Sequence, residues 1–154
     1  MSKYVLKHFE TEPRSSLYAL YSNEEFYFIV LLINKVLGIR LKRAQKDICF
    51  EGSKAFFMAY SHQDKENDYE MFMYNNVHSI YNETNEEEGL LFQESTEFFL
   101  LPELGAVDFI LKIEGDQSIF AGLIEKIRSI KEVISVFEIT EKKLKSKENL
   151  IFEY

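Results

Sequence analysis

The chain has 154 residues, a length suited to one domain, 1–154, or to two small intertwined halves, 1–94 and 95–154. Apolar residues make up 46% and charged residues 29%, an ordinary globular balance, and two prolines with six glycines exclude long flexible linkers. The formal charge of −8 argues against general nucleic-acid binding, and a lone cysteine, Cys49, excludes an intrachain disulfide.

Residues 4–9 read as a first, peripheral strand, 11–16 as a loop around Pro13, and 17–21 as a short apolar strand. Ser22, Asn23, Glu24 and Glu25 then have the character of a helix start, with a capping side chain followed by acids at the positive end of the dipole. The helix runs to Leu37 and stops at Gly38. Phe26, Ile29, Val30, Leu32, Ile33, Val36 and Leu37 share one face, which leaves Phe28 and Leu31 outside it. These two suggest a second contact, with another part of the chain or with a partner subunit, and are candidate contacts in a homodimer.

Residues 39–43 alternate as a half-buried strand with a basic outer side, and 47–50 extend it after an irregular step. Residues 54–60 and 69–74 form an aromatic, methionine-rich hairpin around a polar loop, 61–68. The hairpin is apolar on both faces, which suits a core on each side or a subunit contact. An acidic loop spans 82–89, and short strands are expected at 90–92 and 98–101. In 107–114, Val107, Phe109, Leu111 and Ile113 face one way, and Asp108, Ile110, Lys112 and Glu114 the other. Gly115 and Asp116 turn the chain into a second helix, 117–131, whose apolar face holds Ile119, Phe120, Leu123, Ile124, Ile127 and Ile130. A strand at 133–140 returns, and the apolar tail around Leu150, Ile151 and Phe152 docks on the body.

Strand, helix, strand therefore occurs twice, at 17–43 and 107–140. The expected fold is α+β, with two helices packed on a mostly antiparallel sheet and a ferredoxin- or ACT-like element order. The start of the chain shows no secretion signal, and the longest apolar run, 26–33, is too short to span a bilayer. Both suit a soluble protein of the reducing cytosol without membrane partners.

The segment Leu101-Pro102-Glu103-Leu104-Gly105-Ala106-Val107-Asp108-Phe109 resembles the motif that names the bacterial IPExxxVDY family. Leu101 and Phe109 replace the isoleucine and tyrosine of the name, so no phenol is required at 109. The stretch from Leu32 to Leu37, with its Asn34-Lys35 pair, and the stretch from Lys145 to Phe152 are also similar to that family. The resemblance implies no catalytic residue, cofactor or substrate.

The residues marked for ligand contact are Pro102, Glu103, Asp108, Gly115 and Asp116. An aspartate among strand residues must be paired or hydrogen-bonded, or its pKa rises. The favoured reading makes Asp108 an anchor on backbone amides or on Arg40 or Arg43. The alternative makes Glu103 and Asp108 an acid–base pair in a small-molecule enzyme. Asp116 is expected to cap the second helix with its own carboxylate. His8, His62 and His78 lack the spacing of a metal site, with His62 expected in a turn and Cys49 expected buried. The basic clusters, 40–46 and 142–147, are expected as solvated faces or ion-pair partners. The expectation is a non-catalytic binding or regulatory module that self-associates, without metal or cofactor, and with an unnamed small-molecule ligand.

Overall fold

The computed structural model describes residues 14–83, 93–140, 142 and 144–154. The strands expected at 4–9 and 90–92 and most of the acidic loop lie outside these residues. Within them the chain is α+β, with helices α1 (Phe26–Leu37) and α2 (Phe120–Arg128). The strands are β1 (Arg14–Tyr21), β2 (Lys42–Arg43), β3 (Ile48–Cys49), β4 (Phe56–Phe57) and β5 (Ala59–Asp64), then β6 (Tyr69–Asn75), β7 (Val77–Glu83), β8 (Gln93–Phe99), β9 (Phe109–Gly115) and β10 (Ser135–Ile139). Six of them form one sheet in the order β10-β1-β9-β6-β5-β2, antiparallel at every neighbouring pair. The pairs β3-β4 and β7-β8 are separate two-stranded ribbons.

Both strand-helix-strand units contribute to the main sheet. β1 lies between β9 and β10, so the second unit is split by a strand of the first. β1 and β2 are separated by β9, β6 and β5. Strands of the two candidate halves therefore alternate in one sheet.

Each face of the sheet buries a core. On one side α1 and α2 cover Tyr69, Met71, Met73, Phe109, Leu111 and Ile113. On the other, the β3-β4 ribbon, residues 100–104 and the C-terminal tail cover Leu17, Phe72, Tyr74 and Ile110. Two cores explain why the hairpin is apolar on both sides: successive strand residues point to opposite faces, and each face is buried. Phe152 of the tail packs on Phe72 at 5.7 Å between ring centroids.

Several boundaries differ from the sequence reading. β1 begins at Arg14, because pairing with β9 holds residues 14–16 extended where a loop was expected. Ser22 does not cap α1. Glu25 occupies the cap position with no side-chain bond, and the Ser22 hydroxyl donates to the Glu132 carbonyl at 2.7 Å. That bond ties the end of β1 to the turn before β10. β5 extends to Asp64 and the hairpin turn shortens to 65–68. The Asp64 carboxylate closes it, accepting from the amides of Glu66 and Asn67, each at 3.0 Å. Gly38 ends α1 in the left-handed conformation, as expected. Asn34 reinforces that end by accepting from the Leu41 amide at 2.8 Å.

Candidate functional site

The motif segment is fastened to the fold from within. Asn76, completely buried between β6 and β7, sits at its centre. Its Oδ1 accepts from the Leu101 amide at 2.8 Å, and its Nδ2 donates to the carbonyls of Val107 at 2.9 Å and Gly105 at 3.3 Å. Its backbone amide donates to Asp108 O at 2.9 Å, and its carbonyl accepts from Leu100 N at 2.8 Å. One side chain thus replaces the ladder partners that an irregular, buried segment lacks. The tail holds the same segment from outside. Asn149 donates to the Leu100 carbonyl at 2.9 Å, and the Ser146 hydroxyl donates to Glu103. Pro102 opens a short 3-10 turn, Pro102–Leu104, where its missing amide proton costs nothing.

Asp108 precedes β9 and does not lie within it. Its half-buried carboxylate accepts from the Ser22 amide at 3.1 Å. Burial pushes its pKa above the usual carboxylate range, and the Ser22 bond opposes this in part. Backbone anchoring is thus realised through Ser22, with neither Arg40 nor Arg43 as partner. Glu103 is exposed and engages Ser146, so the two carboxylates have separate partners. Asp116 accepts from Ser118 N at 3.0 Å and from its hydroxyl at 2.8 Å, which caps the turn into α2 and holds its pKa low. Gly115 has a φ of +124°, and a Cβ there would lie 2.2 Å from the Asp68 carbonyl oxygen. The β5-β6 turn therefore rests directly on glycine backbone.

A cleft of about 810 Å³ opens between the end of α1, the β5-β6 turn and the start of α2. Leu37, Ile39, Ile119 and Leu123 supply its apolar wall, and Tyr69 its floor. The body of Tyr69 is buried, and its hydroxyl, with no hydrogen-bond partner among the described residues, stays open to the cleft. Burial, then the charge of Asp64, raises its pKa, so the phenol remains a donor. Lys65, Lys126 and His62 stand at the rim. Neither lysine forms an ion pair among the described residues. Asp64 also lines the cleft, but its carboxylate is engaged by Glu66 and Asn67. Gly122 lies on the exposed side of α2 beside this opening, and a Cβ there would meet no atom within 4 Å.

Sequence reasoning missed Asn76, Tyr69, Lys126 and Gly122. Two signals were available: the Asn75-Asn76 pair interrupting an apolar strand, and a glycine inside a helical pattern. His62 belongs to β5, not to a turn, because the strand continues past it. Its Nδ1 lies 3.3 Å from both the amide nitrogen and the carbonyl oxygen of Arg40. Cys49 is exposed, contrary to expectation, since strand alternation turns Ile48 inward and Cys49 outward. Arg43 pairs with Asp47 at 2.9 Å and Lys46 with Glu153 at 3.6 Å, so part of the first basic cluster serves internal pairs. Phe28 is half-buried, whereas Leu31 is 58% exposed and stands one turn from Tyr27, 66% exposed. Among the described residues no group of three or more His, Cys, Asp or Glu side chains converges as a metal site. Nor is any helix among them long and apolar enough to cross a membrane.

The chain matches no protein-family model, no curated protein and no solved structure.

Proposed function

We propose that this chain is a non-catalytic, cytosolic binding or regulatory module that self-associates, and that it belongs with the IPExxxVDY proteins. The observation that carries this reading is that each marked carboxylate is engaged by a separate partner within the chain. Asp108 holds Ser22, Glu103 holds the tail and Asp116 caps the turn into α2, which leaves none of them poised over a shared reacting atom. The insertion of β1 between β9 and β10 supports a ferredoxin- or ACT-like scaffold.

Self-association uses the ridge of Tyr27 and Leu31 on α1. Two large apolar side chains one turn apart, both mostly in water, gain on burial what the monomer leaves exposed. Phe28 supports that ridge from its half-buried position. Light scattering on a sizing column at micromolar concentration should give twice the chain mass, and Leu31→Glu should halve it with an unchanged circular dichroism spectrum. A monomer at every concentration would remove this reading.

A further inference from the structure

We infer that the cleft between α1, the β5-β6 turn and α2 is a binding site for a small organic anion, an apolar body carrying one carboxylate or phosphate. The inference rests on the reading of the chain as a binding module, and it names the site and the ligand class.

Four features of the cleft converge on that class. Its volume, about 810 Å³, falls in the range that holds metabolite-sized ligands. One wall, of Leu37, Ile39, Ile119 and Leu123, is apolar, which accepts a hydrocarbon or aromatic body. Its rim carries Lys65 and Lys126 without ion-pair partners, in a chain with 26 acidic and 18 basic residues. The two lysines outnumber the one lining carboxylate, Asp64, so the opening of an otherwise acidic chain carries a net positive charge. The Tyr69 hydroxyl completes the set, as an accessible donor on the cleft lining with no partner among the described residues. An anion accepting from Tyr69 and from one lysine would satisfy it. His62 can add a donor, as its second ring nitrogen makes no hydrogen bond among the described residues.

Gly122 is the independent sign that something approaches α2 here. Glycine inside a helix is less favourable than alanine by about 1 kcal/mol. Neither sterics nor backbone conformation demands it, since a Cβ would meet open space and φ is ordinary. The missing side chain leaves the cleft wall open to a flat ligand at helix-backbone distance.

The test is an amide-resolved NMR titration of the full chain with three probes: phenylacetate, 2-phenylethylamine and acetate. Phenylacetate supplies body and charge, the amine the same body with opposite charge, and acetate the charge without the body. Saturable shifts with phenylacetate alone, centred on Gln63, Lys65, Gly122 and Lys126, are expected. Tyr69→Phe and Lys126→Gln should each weaken the affinity about tenfold, as loss of a hydrogen bond to a charged group does. Gly122→Leu should abolish the shifts while raising the melting temperature, so loss of binding cannot be mistaken for unfolding. Equal shifts with the amine, or unaltered affinity in Gly122→Leu, would overturn the assignment. Saturable shifts confined to the neighbouring groove of Arg40, Lys42 and Arg43 would overturn it too, while leaving a binding module in place. Absence of saturable shifts with every probe would overturn the site, and the light-scattering result for Leu31→Glu would still judge self-association separately.

Discussion

Replacing Asn76 by alanine tests how far the motif segment depends on that one side chain for its place in the fold. The substitution removes three side-chain hydrogen bonds, to Leu101 N, Val107 O and Gly105 O. Leu101 and Val107 are buried, so water cannot replace their partner. Each stranded buried group costs about 1–3 kcal/mol, whereas the partly exposed Gly105 carbonyl can turn to solvent. The expected loss is therefore about 3–4 kcal/mol, a large share of the roughly 5–15 kcal/mol available to a folded domain. Urea unfolding followed by far-ultraviolet circular dichroism should show a lower midpoint with an unchanged slope. Asn76→Asp sharpens the test. Its second oxygen would face the Val107 carbonyl, so the carboxyl is held protonated and its folded pKa rises above the unfolded value. Its stability should then be greatest in acid and fall as pH rises through that pKa. A loss below about 1 kcal/mol for Asn76→Ala, or an Asn76→Asp variant indifferent to pH, would refute the reasoning.

Gly115→Ala should cost about 3 kcal/mol or more, because both positive φ and a 2.2 Å approach to the Asp68 carbonyl oppose a Cβ. Gly52→Ala, at a φ of +79° with open space around it, should cost only about 1 kcal/mol, and equal midpoints for the two would contradict the steric argument. Asp108→Asn should be at least as stable as the parent at neutral pH, since the amide oxygen still accepts from Ser22 and no charge is desolvated. The parent carboxyl has a raised folded pKa, so its contribution is fully present below the unfolded pKa and declines as pH rises through the folded one. The advantage of Asp108→Asn should grow over that interval in melting curves, and a clear loss of stability at pH 7 would show that the negative charge itself is needed.

Much of the fold was legible from periodicity. The two helical stripes, the alternation through 109–113 and the glycine after Leu37 each report a local rule, with spacing 3.6, spacing 2 or a left-handed stop. The expected cap by Asp116 was legible for the same reason, because donor and acceptor lie two residues apart, although it closes the 3-10 turn Gln117–Ile119 that leads into α2 and not α2 itself. Asp108 stood out as a polar misfit within the expected strand 107–114, but it precedes β9, and its partner lies 86 residues earlier, beyond any local rule.

What the chain determined by itself is thus its class, α+β, and which residues could not rest in an apolar setting unaided. Pairing and neighbourhood were decided only in three dimensions. The hairpin became doubly buried because the tail and residues 100–104 close over one face while the helices close over the other. The motif segment is fastened in place because Asn76, from the junction of β6 and β7, reaches its amide and carbonyls. The cleft exists because a helix end, a turn and a second helix start meet across segments far apart in sequence. Hydrophobic pattern sets what must be buried, but the choice of partner depends on chain crossings that a one-dimensional pattern does not encode.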